Sequence, residues 1–348
     1  MHFAVTAAPP SRAALPMPDA NRGASRMDKK ARIGVIAIGR NEGERLKQCL
    51  RSVPAGIPIA YVDSASSDGS ADFARSIGAM AIELDLAIPF TAARARNAGR
   101  DHLLREWPML KYVQFVDGDC ELEAGWLEAA ASFLDTEPTV AAVCGRRRER
   151  FPERSFYNQM CDDEWNTAIG AAEACGGDAM FRMSALAQVR GYDPTLIAGE
   201  EPELCHRLRD MGWRIWRIDC PMTIHDADMH RPRQWWLRTV RSGFGYAQVW
   251  AKTRTGMNPP LYGRQLVSAL LWTVGVVALS LAAALVVWPV GLAAGPLLWL
   301  LQLARLAKRG GLRSGGHLLV GKIAEAIGIL RYALSRLTRR KQGAIFYK

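Results

Sequence analysis

From Gln265 to Ala304 the chain runs 40 residues without a charged side chain. A run that long has to leave water, since about 20 predominantly apolar residues already suffice to cross a bilayer. Trp288-Pro289 divides it near the middle. Two crossings are therefore expected, about Leu266–Val287 and Val290–Ala304, the second rather short; the alternative is two buried helices of a soluble bundle. Arg264 precedes the pair, and Arg305, Lys308, Arg309 and Arg313 follow it. Cations at both outer ends put those ends on the cytoplasmic side of the inner membrane. The next stretch, HLLVGKIAEAIGILRYALSRLTRRKQ (317–342), suits an amphipathic interfacial helix ending in a basic cluster.

The net charge of +11 first suggests nucleic acid. Its location argues otherwise. From Leu261 onward 12 Lys and Arg accompany one acid, Glu325, whereas residues 1–260 carry 33 of each sign. The whole excess lies beside the apolar tail, as expected where a chain faces anionic lipid, so no nucleic-acid partner is expected. Seven scattered cysteines without a C-x-x-C pair favour reduced thiols over zinc or a disulfide framework. Residues 1–30, rich in Ala, Pro and Arg, hold no secretory signal; they read as a disordered arm or as the product of a start upstream of Met27.

Ahead of the tail the pattern alternates. IGVIAI (33–38) is a short apolar run of the kind buried on both faces, and RLKQCLRSV carries Leu46, Cys49, Leu50 and Val53 at helical spacing. IPIAYVD, AMAIELD and KYVQFVD read as further strands, with helices starting near Ala71 and spanning AARARNAGRDHLLREW. Strands and helices in such short units imply an α/β domain, about 31–255, with a mostly parallel sheet flanked by helices and followed by the membrane tail of 256–348. Ligands bind beyond the carboxyl ends of such strands. Here those ends read Arg40-Asn41-Glu42, Asp63 and Asp117-Gly118-Asp119. Asp117 and Asp119, two residues apart on a glycine-containing turn, are able to meet at one hard cation, Mg²⁺ or Mn²⁺; the bland alternative is a solvated turn. Glu121 and Glu123 then suit the start of a helix near Ala124.

IAIGRNEGERLKQCLRSV, YVDSASSDGS, FTAARARNAG, FVDGDCELEAGWL, CGGDAMFR, RGYDP and GEEPELCHRLR, in this order, resemble glycosyltransferase family 2 over about residues 31–250. The resemblance implies a GT-A fold, a nucleotide-sugar donor, a divalent cation and inverting transfer. It implies that Asn41, Glu42, Asp63 and Asp68 line the nucleotide, although both aspartates equally suit helix capping. Arg96 would face the base, with Arg94 as the alternative. Asp117 would lie on the ribose or metal side and Asp119 would be the principal metal ligand. The family's base lies in a Glu-Asp pair; here the pair is Glu200-Glu201, which makes Glu201 the candidate base and Glu200 its alternative, against a simple preference of both for a helix N-terminus with Pro202 at its first position. Gly176, Gly177 and Asp178 would line donor sugar and acceptor. His225 would join the metal, or be a structural histidine.

Three aromatic or basic features stay open at this level. Trp235 and Trp236 suit either a sugar face or the membrane interface. GRRRER (145–150) suits a solvated strand end, a lipid-linked phosphate or the anionic leaflet. The expectation is a metal-dependent enzyme that glycosylates a lipid-linked or membrane-presented glycan in envelope or exopolysaccharide assembly. The alternatives are a nucleotidyltransferase of related fold and a degenerate membrane-anchored sugar-binding module.

Overall fold

A computed structural model describes residues 31–338. The arm of 1–30 and the end of the basic cluster lie outside the described residues. The first half alternates as β1 (Ile33–Gly39), α1 (Glu44–Arg51), β2 (Ile59–Asp63), α2 (Ser70–Ser76), β3 (Met80–Glu83), α3 (Ala92–Glu106) and β4 (Tyr112–Asp117). These strands lie parallel in the order β3-β2-β1-β4. Val35, Ile36 and Ala37 are wholly buried, which is why this strand is apolar without alternation. Gly39 stands opposite Asp63, and Ile38 opposite Asp117, so the three polar strand ends emerge side by side.

The second half follows as β5 (Cys120–Leu122), α4 (Trp126–Thr136), β6 (Val140–Glu149), α5 (Phe156–Trp165), β7 (Gly170–Ala172), β8 (Ala179–Arg182), α6 (Met183–Gln188), α7 (Glu200–Asp210) and β9 (Arg214–His225). It extends the sheet as β4-β8-β6-β9-β5, with β7 also on β9. β8 runs antiparallel to β4 and β6, whereas β9 runs parallel to β6.

Two local readings change here. Residues 120–122 pair with β9, so the helix starts at Trp126 rather than near Ala124. Glu121 and Glu123 do not serve that helix start: they pair with Arg150 and Arg148. Arg146 likewise meets Asp162 at 2.7 Å. The GRRRER stretch is therefore the end of β6 and the residue beyond it, with its arginines paired to acids.

After α8 (Pro232–Thr253), the tail comprises α9 (Gly263–Leu270), α10 (Val276–Val286) and α11 (Ala294–Thr338). A π-helical turn at Leu271–Gly275 joins α9 and α10 into one apolar rod, Gly263–Val286, of 24 residues. Its length is about 36 Å. α11 bends at Gly310–Gly311, where the backbone is not helical. Ala294–Arg309, ahead of the bend, rises about 24 Å, short of the ~30 Å hydrocarbon core. Two helical segments, Gly263–Val286 and Val290–Thr338, are long and apolar enough to cross a membrane. Only 22% and 11% of their apolar windows are buried, and Leu285 is 89% exposed, which disfavours the soluble-bundle alternative.

Beyond the bend, α11 packs along α8 in addition to presenting Leu330, Leu334 and Leu337 outward. The contact depends on glycine. A Cβ at Gly243 would meet the Glu325 carbonyl oxygen at 2.1 Å, and one at Gly328 the Val240 carbonyl oxygen at 2.1 Å. Trp235 stacks on Tyr157 and packs on His317 of α11, so it joins α5, α8 and α11.

Candidate active site

The loops after β1 and β2 are stitched together by their own polar side chains. Asn41 adopts a left-handed backbone, donates its N–H to Ser66 Oγ at 2.9 Å and accepts from Ser67 N–H at 2.8 Å. Asp68 accepts from the N–H groups of Gly43 and Ser70. Burial alone would raise its carboxyl, but these hydrogen bonds outweigh it and hold the group below the usual carboxylate range. Asp68 thus ties the two loops together and serves the start of α2. Asp63 is 2% exposed; Tyr61 donates its hydroxyl to one oxygen at 2.8 Å and Ser66 its N–H to the other at 2.7 Å. Glu42 pairs with Arg45 at 2.8 Å.

Arg96 does not face these loops. It is 2% exposed and points from α3 into the middle of the domain, 5.5 Å over the Tyr192 ring. Nη2 donates to Asp117 Oδ1 at 2.9 Å, Nη1 donates to Glu200 Oε1 at 3.0 Å, and Nη1 lies 2.8 Å from Glu201 Oε1. One guanidinium therefore joins the end of β4 to the start of α7. Its planar fork and permanent charge suit this bridging. Arg94, the alternative, braces the preceding loop through the carbonyls of Ile88 and Asp85.

Gly177 passes directly behind this bridge. A Cβ there would stand 2.7 Å from Arg96 Nη2 and 2.8 Å from Asp117 Oδ2, so close approach requires glycine. Gly176 borders the cavity beside Arg147. Asp178 faces inward: Oδ1 accepts the Asp117 N–H at 3.0 Å and Oδ2 accepts from Thr223 Oγ1 at 2.8 Å. It holds the backbone of Asp117 and also borders the cavity, with Arg147 Nε 3.3 Å from Oδ2.

The structure divides the Asp-x-Asp pair. Asp117 lies between Arg96 and Arg147, the latter at 3.2 Å from Oδ2. Burial alone would raise its carboxyl, yet the two arginines hold it below the usual range. Asp119 turns instead toward His225, whose Nε2 lies 3.4 Å from Oδ1. Ligand atoms of Asp119, Cys120 and His225 lie within 4.8 Å of one another, all buried. Burial pushes the Cys120 thiol well up. Asp119, an oxygen donor in the turn before β5, and His225, a nitrogen donor at the end of β9, fit a divalent cation with open positions for a ligand.

At the start of α7, burial first and then the charge of Glu200 push Glu201 up to about 7, against the pull of Arg96. The two glutamates differ in placement. Glu201 lines a cavity of about 550 Å³, while Glu200 is turned inward to Arg96. The helix begins at Glu200, so Pro202 occupies its third position. The cavity continues from Glu201 past Arg147, Trp165 and Gly176 to Tyr246 of α8 and to Tyr262, the residue before the apolar rod. Trp235 and Trp236 do not line it.

Trp165 escaped the sequence reading, and Arg147 entered it only as one arginine of the GRRRER cluster. Arg147 stacks 4.8 Å over Trp165, whose ring edge meets His225 at 4.6 Å. The signal available was the length of β6: once the strand is carried to Glu149, one of its arginines has to point into the site.

A half-parallel, half-mixed sheet with acids at its central strand ends and a glutamate pair facing them defines a GT-A domain. The same fold occurs in a solved mannosyltransferase from Pyrobaculum calidifontis in complex with GDP-Man and Mn²⁺, with a TM-score of 0.58 and 22% identity over 89% of this chain and 91% of that one. Residues 35–190, within this domain, match the model of Glycosyl transferase family 2. Among curated relatives, the succinoglycan biosynthesis protein ExoA of Rhizobium meliloti is 27% identical over 60% of this chain and 64% of its own length. A pre-mycofactocin glycosyltransferase of Mycobacterium tuberculosis is 26% identical over 70% of this chain and 53% of its own. The chain thus spans less than two thirds of the length of either relative.

Proposed function

We propose that this domain transfers a sugar, with inversion, from a nucleotide-sugar donor to a hydroxyl of a glycan carried on lipid or presented at the membrane. The observation that carries the proposal is the Arg96 bridge. It joins the acidic end of β4 to the glutamates of α7, of which Glu201 lines the cavity. In this reading Asn41, Asp63 and the loop tied by Asp68 receive the nucleotide. Asp119 and His225 would hold the divalent cation, Mg²⁺ or Mn²⁺, which when bound supplies positive charge to the leaving diphosphate. Arg147, beside Asp117 and open to the cavity, adds a second positive charge there. Glu201 takes the proton of the acceptor hydroxyl as the anomeric carbon is attacked, and a carboxyl near 7 suits that task. Arg96, with three carboxylates around it, limits their mutual repulsion and fixes Glu201 in place.

Membrane presentation of the acceptor is supported by the cavity's reach from Glu201 to Tyr262, next to the apolar rod. The cationic flanks of the rods favour a catalytic domain on the cytoplasmic face. The names of the relatives point to exopolysaccharide or another envelope glycan. A panel of sugar nucleotides incubated with the protein and Mn²⁺ tests the reaction. Release of a nucleoside diphosphate, abolished by EDTA, is expected. Release of pyrophosphate would instead indicate nucleotidyl transfer, and no turnover with any donor would favour a binding module.

A further inference from the structure

The buried carboxylate of Glu149 has no part in the chemistry above, yet it is held on both oxygens. It is 5% exposed. Oε1 accepts from Asn158 Nδ2 at 3.1 Å and from Phe151 N–H at 3.2 Å, and Oε2 accepts from Ala227 N–H at 3.0 Å. In the sheet, His225 stands opposite Glu149 on one side and opposite Cys120 on the other. Its imidazole is therefore set between two strands, with the Trp165 ring edge-on at 4.6 Å. Nε2 looks toward Asp119 Oδ1 at 3.4 Å, and Nδ1 toward Glu149 Oε2 at 3.6 Å. The latter distance is too long for a hydrogen bond, and Nδ1 is buried without one.

A neutral imidazole carries its proton on one nitrogen and a lone pair on the other. For Nε2 to offer its lone pair to a cation beside Asp119, the proton has to reside on Nδ1. A buried N–H needs an acceptor, and Glu149 Oε2 is the group in front of it. Carboxylates behind metal-binding histidines act in this way, fixing tautomer and ring orientation.

We propose that Glu149 is a positioning residue that keeps His225 in the Nδ1–H tautomer and directs Nε2 to the cation site beside Asp119. The inference rests on the metal reading of that site. Free Mn²⁺ is followed by electron paramagnetic resonance in the full-length parent, Glu149→Gln, His225→Ala and the double variant. Glu149→Gln is expected to weaken Mn²⁺ binding about 10- to 100-fold. In the double variant it adds no further loss to that of His225→Ala. Equal losses in both backgrounds, or none in either, would mean that Glu149 serves packing alone. A parent protein that takes up no Mn²⁺ would overturn the metal reading together with this one. Should Glu149→Gln not fold, ¹⁵N-histidine spectra of the parent decide, with His225 assigned by its absence in His225→Ala. An Nδ1–H ring whose Nε2 resonance shifts on adding Mg²⁺ is expected, and an Nε2–H ring sinks the proposal.

Discussion

Glu201 occupies the second position of α7, where burial and Glu200 push its carboxyl up to about 7. A base acts in its ionised form, so the rate is expected to climb with pH through about 7 and then level off. Glu201→Gln should lower kcat by about 10²–10⁴-fold and abolish that rise. The same substitution should stabilise the fold at pH 8. The native pKa exceeds the ordinary 4.5, so the contribution of this group is fully favourable below 4.5 and is lost as pH rises through about 7. A neutral Gln escapes that loss. The expected gain is on the order of 2–3 kcal/mol at pH 8 and shrinks to nothing below pH 4.5, read from unfolding curves at both values. The candidacy of both glutamates was legible from GEEPELCHRLR. Which of them meets the cavity was not, because it depends on how Arg96, 104 residues away, holds Glu200.

At the scale of elements, the contact of α8 with the second half of α11 depends on glycines at which backbones nearly touch. Gly243→Ala would place a methyl group against the Glu325 carbonyl. Backbone cannot yield as a side-chain tip does, so a loss of about 1–3 kcal/mol is expected, with α11 more readily cut by protease in detergent. Unchanged stability and protease resistance would show that this helix pair is not a close-packed unit. Periodicity revealed α11 as amphipathic but left its partner unnamed, since an apolar face fits lipid and another helix equally. The strand β6 was harder still to see. Its second half is charged, and only the acids brought by the end of β4, by β5 and the residue after it, and by α5 explain why four arginines lie within and just beyond a strand.

For the whole molecule, the consequential feature is an apolar rod beginning one residue beyond a cavity-lining tyrosine. If the rod and the first half of α11 form a hairpin with both ends cytoplasmic, its tip near Val287 faces outward. A cysteine introduced at Val287 should react with a membrane-impermeant maleimide in intact cells. One at Lys308 should react only after lysis. Six of the seven native cysteines are buried, which keeps the background low. Labelling of Lys308→Cys in intact cells would invert the orientation, and protection at both positions would favour a re-entrant hairpin, as the roughly 24 Å of Ala294–Arg309 allows.

Local patterns by themselves settled the alternating α/β half, the polar strand ends and the apolar tail, because each follows from periodicity and the requirement to bury apolar surface or leave water. They also marked Asp119 as a candidate, whereas His225 and Glu201 were marked by the resemblance to glycosyltransferase family 2. Only the tertiary structure decided how the acids are shared out: Asp117 to Arg96 and Arg147, Asp119 to His225, Asp68 to backbone N–H groups, and Asp178 to the Asp117 N–H, Thr223 and Arg147. Charge partners are chosen by distance in space, and the strands and helices that bring these groups within about 3 Å lie up to a hundred residues apart along the chain.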